Sequence, residues 1–201
     1  QLDPTRAYLF MANHQSNVDI PILMAAFAQF QVRWVSKQDV RKVPVIGVCM
    51  ARTHQVLVDR ESPTQAIAVI RRVRALLTAG ISVIFFPEGT RSRDGQLQSF
   101  KPGGFVVALE SGVPVVPITI NGSRAIWAPG GLDLRPGTVS VDFSEPIMVD
   151  PRLSKRAARE LLLAKVREAM VARLHEPPPP PSSANVSRVT VSTSASEHPF
   201  S

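Results

Sequence analysis

The stretch Asn13-His14-Gln15-Ser16-Asn17-Val18-Asp19 sets a histidine and an aspartate in His-x4-Asp spacing directly after the apolar run AYLFMA. A neutral imidazole becomes a better base when a carboxylate holds one ring N–H and stabilises the imidazolium. The spacing allows that pairing if His14 lies on a loop and Asp19 in the first turn of the next helix, where an acidic residue is favoured. The same pattern also describes an ordinary polar turn in which Asp19 only caps the helix, and spacing alone does not separate the two. A base also needs a proton to remove. Ser16 or Ser36 would serve in a hydrolase, but the chain has no G-x-S-x-G elbow. Cys49, inside VIGVCMA, reads as a small core residue. A hydroxyl brought by the substrate fits better, which implies direct transfer without a covalent enzyme intermediate.

A second cluster is Pro87-Glu88-Gly89-Thr90-Arg91-Ser92-Arg93, followed by Phe100-Lys101-Pro102-Gly103-Gly104. Arginine offers a planar fork that matches phosphate oxygens. Gly89, Gly103 and Gly104 let backbone approach a ligand or open a helix N-terminus, and Lys101 directly precedes that helix start. Together they describe an anion site, with a solvated charged loop as the plain alternative. The four histidines, His14, His54, His175 and His198, form no H-x-x-x-H pattern and there are no cysteine pairs, so no metal is expected. A Walker A loop and a GxGxxG turn are both missing, which leaves nucleotide-binding folds without support.

These residues need a scaffold. The chain has 201 residues, 44% hydrophobic, enough for one domain with a sizeable core. Its net charge is +7 and its sequence pI about 10.5, which calls for anionic partners. Nucleic acid is not expected among them: only 6% of residues are aromatic and no recognition pattern appears. One cysteine excludes an intramolecular disulfide and suits a reducing compartment. From residue 177 the chain becomes rich in Pro, Ser and Thr and reads as a disordered tail behind a domain over 1–176. The tail's Arg188 and Glu197 cancel, so the basic excess belongs to the domain. No apolar run approaches the roughly 18 residues of a spanning helix. The longest, IPILMAAFAQF, reads as a buried helix. The chain starts at Gln1 with a core-like run close behind, so its natural beginning is expected to lie upstream.

Strand-like segments fall at 7–12, 32–36, 55–59, 81–86, 113–120 and 139–143, several of them near-continuously apolar, as in strands buried on both faces. Between them the clearest helix is 62–79, with Ser62 as N-cap, Pro63 at the first position and Gly80 at the stop. Ala66, Val69, Val73 and Leu76 form its apolar stripe, with Ile70 and Leu77 beside it, and Arg71, Arg72 and Arg74 take the wetter side. Another helix covers 153–174. The alternation predicts an α/β fold with a mostly parallel central sheet flanked by helices. In such sheets ligands gather at strand C-terminal ends, where both polar clusters lie.

With these blocks in view, the chain resembles the glycerolipid acyltransferase family, most closely the 1-acylglycerol-3-phosphate (lysophosphatidate) acyltransferases. NHQSNVD at 13–19 is similar to the family's His-x4-Asp motif, residues 37–60 to its second block ending in Asp59-Arg60, FPEGTRS at 86–92 to its third, and VPVVPI at 113–118 to its fourth. The resemblance spans residues 7–147. It implies that His14 is the general base, that Asp19 orients it, and that the acceptor oxygen attacks the thioester of acyl-CoA or acyl-carrier protein. These thioesters act as co-substrates; no cofactor is implied. Glu88, Gly89, Thr90 and Arg91 look like the acceptor-binding motif, with Arg91 for the phosphate and Arg60 and Lys101 adding charge. Pro117 looks like part of the block that shapes the acyl pocket. His54 stands where the second block often carries glycine, which bears on Arg60.

The implied function is acyl transfer to the sn-2 hydroxyl of lysophosphatidate. The other outcomes are another lysolipid or glycerol 3-phosphate as acceptor, hydrolysis by water, and a lipid-binding protein without turnover. The implied partners are a lysophospholipid acceptor and the cytoplasmic face of a membrane, with peripheral or monotopic attachment. Arg71, Arg72, Arg74 or Trp127 would touch headgroups, or else form a solvated helix face and a packed loop.

Overall fold

The computed structural model describes residues 2–37, 55–58, 63–131, 133–175 and 189–192. Arg60, His54, Cys49 and Ser62 fall outside these. Among the described residues seven strands, β1 (Leu9–Ala12), β2 (Val32–Lys37), β3 (Val56–Val58), β4 (Ser82–Phe85), β5 (Val115–Asn121), β6 (Val139–Phe143) and β7 (Val189–Ser192), form one sheet in the order β3-β2-β4-β1-β5-β6-β7. All neighbours are parallel except β5 and β6, which run antiparallel. The helices among the described residues are α1 (Asp19–Ala26), α2 (Pro63–Thr78), α3 (Gly103–Ser111), the single turn α4 (Ser123–Ile126) and α5 (Lys155–Val171). The expected α/β architecture with a mostly parallel sheet is what the chain adopts.

β1 is central and fully buried, and its alternate side chains enter two cores. Leu9 and Met11 join Val73 and Leu77 of α2, Phe105 and Ala108 of α3, and Leu162, Val166 and Met170 of α5. Tyr8, Phe10 and Ala12 join Ile22 and Leu23 of α1 with Phe27, Trp34 and Ile118. Gly104 sits against Met11 and Phe85, where an added Cβ would lie 3.2 Å from the Met11 Cε. It therefore lets α3 close on the sheet rather than lets a ligand approach. Pro117 lies in β5 at the register of Met11. Its carbonyl accepts the Ser144 N–H on the β6 side, the side to which its missing donor would also point, so the proline takes nothing from the ladder with β1.

Two expectations need correction. The segment 20–30 is not a buried helix: Ile20 is 36% and Met24 60% exposed. Uniform hydropathy gives no sign of which face turns outward. Nor is 177–201 structureless throughout, since Val189–Ser192 adds a parallel strand beside β6. Val-Thr-Val is a β-branched run, and the open edge of β6 offers it a ladder.

The layout creates a switch point. β1 and β4 are neighbours, yet β1 leads into α1 on one face while β4 leads into α3 on the other. The connections diverge outside the strand C-termini, leaving a crevice where open parallel sheets hold their ligands. His14 and Glu88 lie on those two connections.

Candidate active site at the β1/β4 switch point

The loop after β1 is pinned first to β5. The Asn13 amide accepts the Ile120 N–H at 2.7 Å and donates to the Ile120 carbonyl at 3.0 Å, extending the sheet by side chain after the backbone ladder ends. Gln15 Nε2 donates to the same carbonyl at 2.7 Å. The Ser16 hydroxyl donates to the Trp127 carbonyl at 2.6 Å and accepts the Val18 N–H at 3.1 Å. That hydroxyl is thus a loop fastener and not a nucleophile beside His14. Ser36 stands opposite Leu57 in β2, across β4 from β1.

On this frame the His14 Nδ1 and Asp19 Oδ2 lie 2.7 Å apart. Oδ2 also accepts the Gln15 and Ser16 N–H groups, each at 2.8 Å. The carboxylate therefore reaches back over its own loop instead of capping α1, which has no side-chain cap. Asp19 is fully buried, and the His14 side chain is 15% exposed. A carboxylate acceptor requires Nδ1 to carry the proton, which leaves the Nε2 lone pair free to act as a base. Nε2 has no hydrogen bond among the described residues. The imidazole lies on the Phe86 ring, with centroids 4.0 Å apart and an interplanar angle of 20°.

The loop after β4 holds the backbone of His14. Glu88 Oε1 accepts the His14 N–H at 2.8 Å, and the Ser92 N–H donates to the His14 carbonyl at 2.7 Å. Glu88 is buried, its other oxygen accepts the Gln98 N–H at 2.8 Å, and burial pushes its carboxyl above the usual range. Gly89 then adopts a left-handed φ of +79°, which suits glycine, and Thr90 and Arg91 emerge into solvent. The Arg91 guanidinium makes no ion pair among the described residues. Lys101 is exposed and tied to this loop through its N–H, which donates to the Pro87 carbonyl at 2.7 Å.

The structure thus brings together His14, Asp19, Glu88, Gly89, Thr90, Arg91 and Lys101. Pro117 stays inside the sheet, and Glu88 faces inward rather than into the crevice. Sequence reading missed Asn13, Gln15, Phe86 and Gln98 as supports of the site. It also missed Arg167 of α5, whose fork donates to the Gln98 and Leu97 carbonyls at 2.9 and 3.2 Å. Only the polar residues crowded directly behind an apolar strand end hinted at Asn13 and Gln15; nothing local marked Arg167. Trp127 is used internally, its indole N–H donating to the Gly131 carbonyl at 2.7 Å. No group of three or more metal-ligating side chains forms among the described residues.

A profile described as Acyltransferase matches residues 1–121. The chain belongs to the acyltransferase family. A chloroplastic 1-acyl-sn-glycerol-3-phosphate acyltransferase of Arabidopsis thaliana is 41% identical over 140 residues, covering 69% of this chain and 39% of that protein. The mouse 1-acyl-sn-glycerol-3-phosphate acyltransferase alpha is 32% identical over 126 residues, 62% of this chain and 44% of its own. The chain thus spans less than half the length of either relative. The crystal structure of the 1-acyl-sn-glycerophosphate (LPA) acyltransferase PlsC from Thermotoga maritima superposes with a TM-score of 0.64 at 30% identity, covering 85% of this chain and 69% of that one. This acyltransferase-family chain is therefore similar in sequence to those enzymes and similar in fold to the Thermotoga maritima structure.

Proposed function

We propose that this acyltransferase moves a fatty acyl group from acyl-CoA or acyl-carrier protein to the sn-2 hydroxyl of lysophosphatidate, giving phosphatidate. The observation that carries the reading is the His14 ring, protonated toward buried Asp19 at Nδ1 and open at Nε2. Nε2 takes the hydroxyl proton as the oxygen attacks the thioester carbonyl. Asp19 stabilises the resulting imidazolium. The tetrahedral intermediate expels the thiolate, which recovers the proton from Nε2. Arg91 is the phosphate ligand in this scheme, supported by its exposed and uncommitted fork. A positioned base contributes roughly 10²–10⁴-fold. His14→Ala is expected to lose about that factor in thiol release from acyl-CoA plus lysophosphatidate, with circular dichroism unchanged. Retained turnover rejects the scheme. Release that ignores the acceptor points to a hydrolase, and no release by the wild type to a lipid-binding protein. Lipid mass spectrometry across an acceptor panel separates lysophosphatidate from other lysolipids and from glycerol 3-phosphate.

The same reading places the domain on a membrane, at the cytoplasmic face where soluble thioester donors reach it. No helix among the described residues is long and apolar enough to cross a bilayer. Support comes instead from α1, which exposes Ile20, Pro21, Met24 and Ala25 and carries no charge between Asp19 and Arg33. Leu134 is 68% exposed on a loop joined to Ile126 through the Arg135 N–H, and Arg93 and Arg124 are exposed nearby. Apolar side chains beside basic ones suit an anionic interface. Met24→Glu should weaken sedimentation with phosphatidylglycerol vesicles by about tenfold or more, the equivalent of losing one buried methionine. Met148→Glu, at an exposed site beside α5, should not; equal binding by all three proteins would discard the surface.

A further inference from the structure

Glu88 belongs by resemblance to the acceptor-binding motif, but its contacts lead elsewhere. It is 2% exposed, and each carboxylate oxygen is taken by a backbone N–H: Oε1 by His14 and Oε2 by Gln98, both at 2.8 Å. Four residues on, the Ser92 N–H holds the His14 carbonyl at 2.7 Å. Both main-chain polar groups of His14 are therefore gripped by one loop, while Asp19 and Phe86 hold its ring. The second donor is itself fixed. Arg167 bonds the Leu97 and Gln98 carbonyls and lies 5.7 Å over the Phe100 ring.

We infer that Glu88 is a positioning residue that sets His14 through the main chain, and does not touch the acceptor. The inference rests on the reading of His14 as the base. Arg91 sits between the two grips at Glu88 and Ser92. The backbone that carries Arg91, the phosphate ligand of the scheme, and the base that takes the acceptor's proton are then parts of one fastened unit. Such a link matters because an error of about 1 Å in reacting geometry can cost about 10²-fold in rate. Burying a carboxylate is costly, and the upward push on its pKa records that cost. A carboxylate is nevertheless suited to this place, because it presents two acceptor oxygens to two N–H donors and no donor of its own.

Glu88→Gln tests this. The amide keeps one acceptor and turns an NH₂ toward the other N–H. The expected result is a kcat lowered about 10- to 100-fold with the KM for lysophosphatidate within about threefold of wild type. A raised acceptor KM with kcat preserved would make Glu88 a ligand contact and overturn the inference while leaving the base scheme intact. Unchanged kcat and KM would overturn it as well. If the glutamine variant does not fold, Glu88→Asp takes its place. It keeps both oxygens on a side chain too short to reach both amides, and the same split between kcat and KM decides. Failure of the underlying base scheme is read separately, from turnover in His14→Ala.

Discussion

The two connections that meet at the switch point are built in opposite ways. Around His14 nearly every polar group is committed: ring to Asp19, N–H to Glu88, carbonyl to Ser92, with Asn13 and Gln15 tied to Ile120. At the tip of the other connection Thr90 and Arg91 stand in solvent, and Lys101 is held by its backbone alone. A base must meet its proton at a set distance and angle, so its surroundings are over-determined. A cation that takes up a phosphate must stay unpaired until the phosphate arrives, because an existing ion pair would have to be broken first. One loop supplies both kinds of residue, with Glu88 turned inward and Arg91 outward about Gly89.

The contrast can be broken from either side. Asp19→Asn carries the largest expected effect. An amide can present NH₂ to Nδ1, which stabilises the wrong tautomer, and its carbonyl cannot serve three donors. Loss of kcat by about 10²-fold or more is expected, with acceptor KM little changed. A kcat within twofold of wild type would reduce Asp19 to a loop brace. Arg91→Ala should do the reverse and more mildly, raising acceptor KM by about tenfold, near the value of one charge-assisted hydrogen bond, with a smaller change in kcat. Thermal stability should hold, since the side chain has no protein partner to lose among the described residues. If Arg91→Ala lowers kcat alone, the committed and open halves do not divide the labour as described.

Much of this was legible in the chain. Strand positions came from near-continuous apolar runs, and the observed strands fall within a residue or two of them. The α2 stripe is equally faithful, with Val73 and Leu77 buried and Arg71, Arg72 and Arg74 exposed. Helix α1 was misjudged because it is apolar on every side, so periodicity carried no information about its orientation. Strand β7 was missed because its Val-Thr-Val run sits in a Pro- and Ser-rich context that outweighs it in composition.

By itself the sequence determined which residues could supply a base, a carboxylate and a cation, because those are properties of side-chain type and short spacing. It also determined that they would follow strands in a mostly parallel sheet, since alternating apolar segments have few other ways to bury themselves. Only the tertiary structure decided what each residue is for. His14 and Glu88 are 74 residues apart and Arg167 is 69 beyond Gln98. Their hydrogen bonds exist only because β4 lies beside β1 and α5 packs near the loop that follows β4. No local pattern distinguishes a glutamate that would reach a ligand from one that folds inward to hold a neighbouring backbone. That choice follows from which donors the folded chain leaves within 3 Å, and a one-dimensional reading has no access to it.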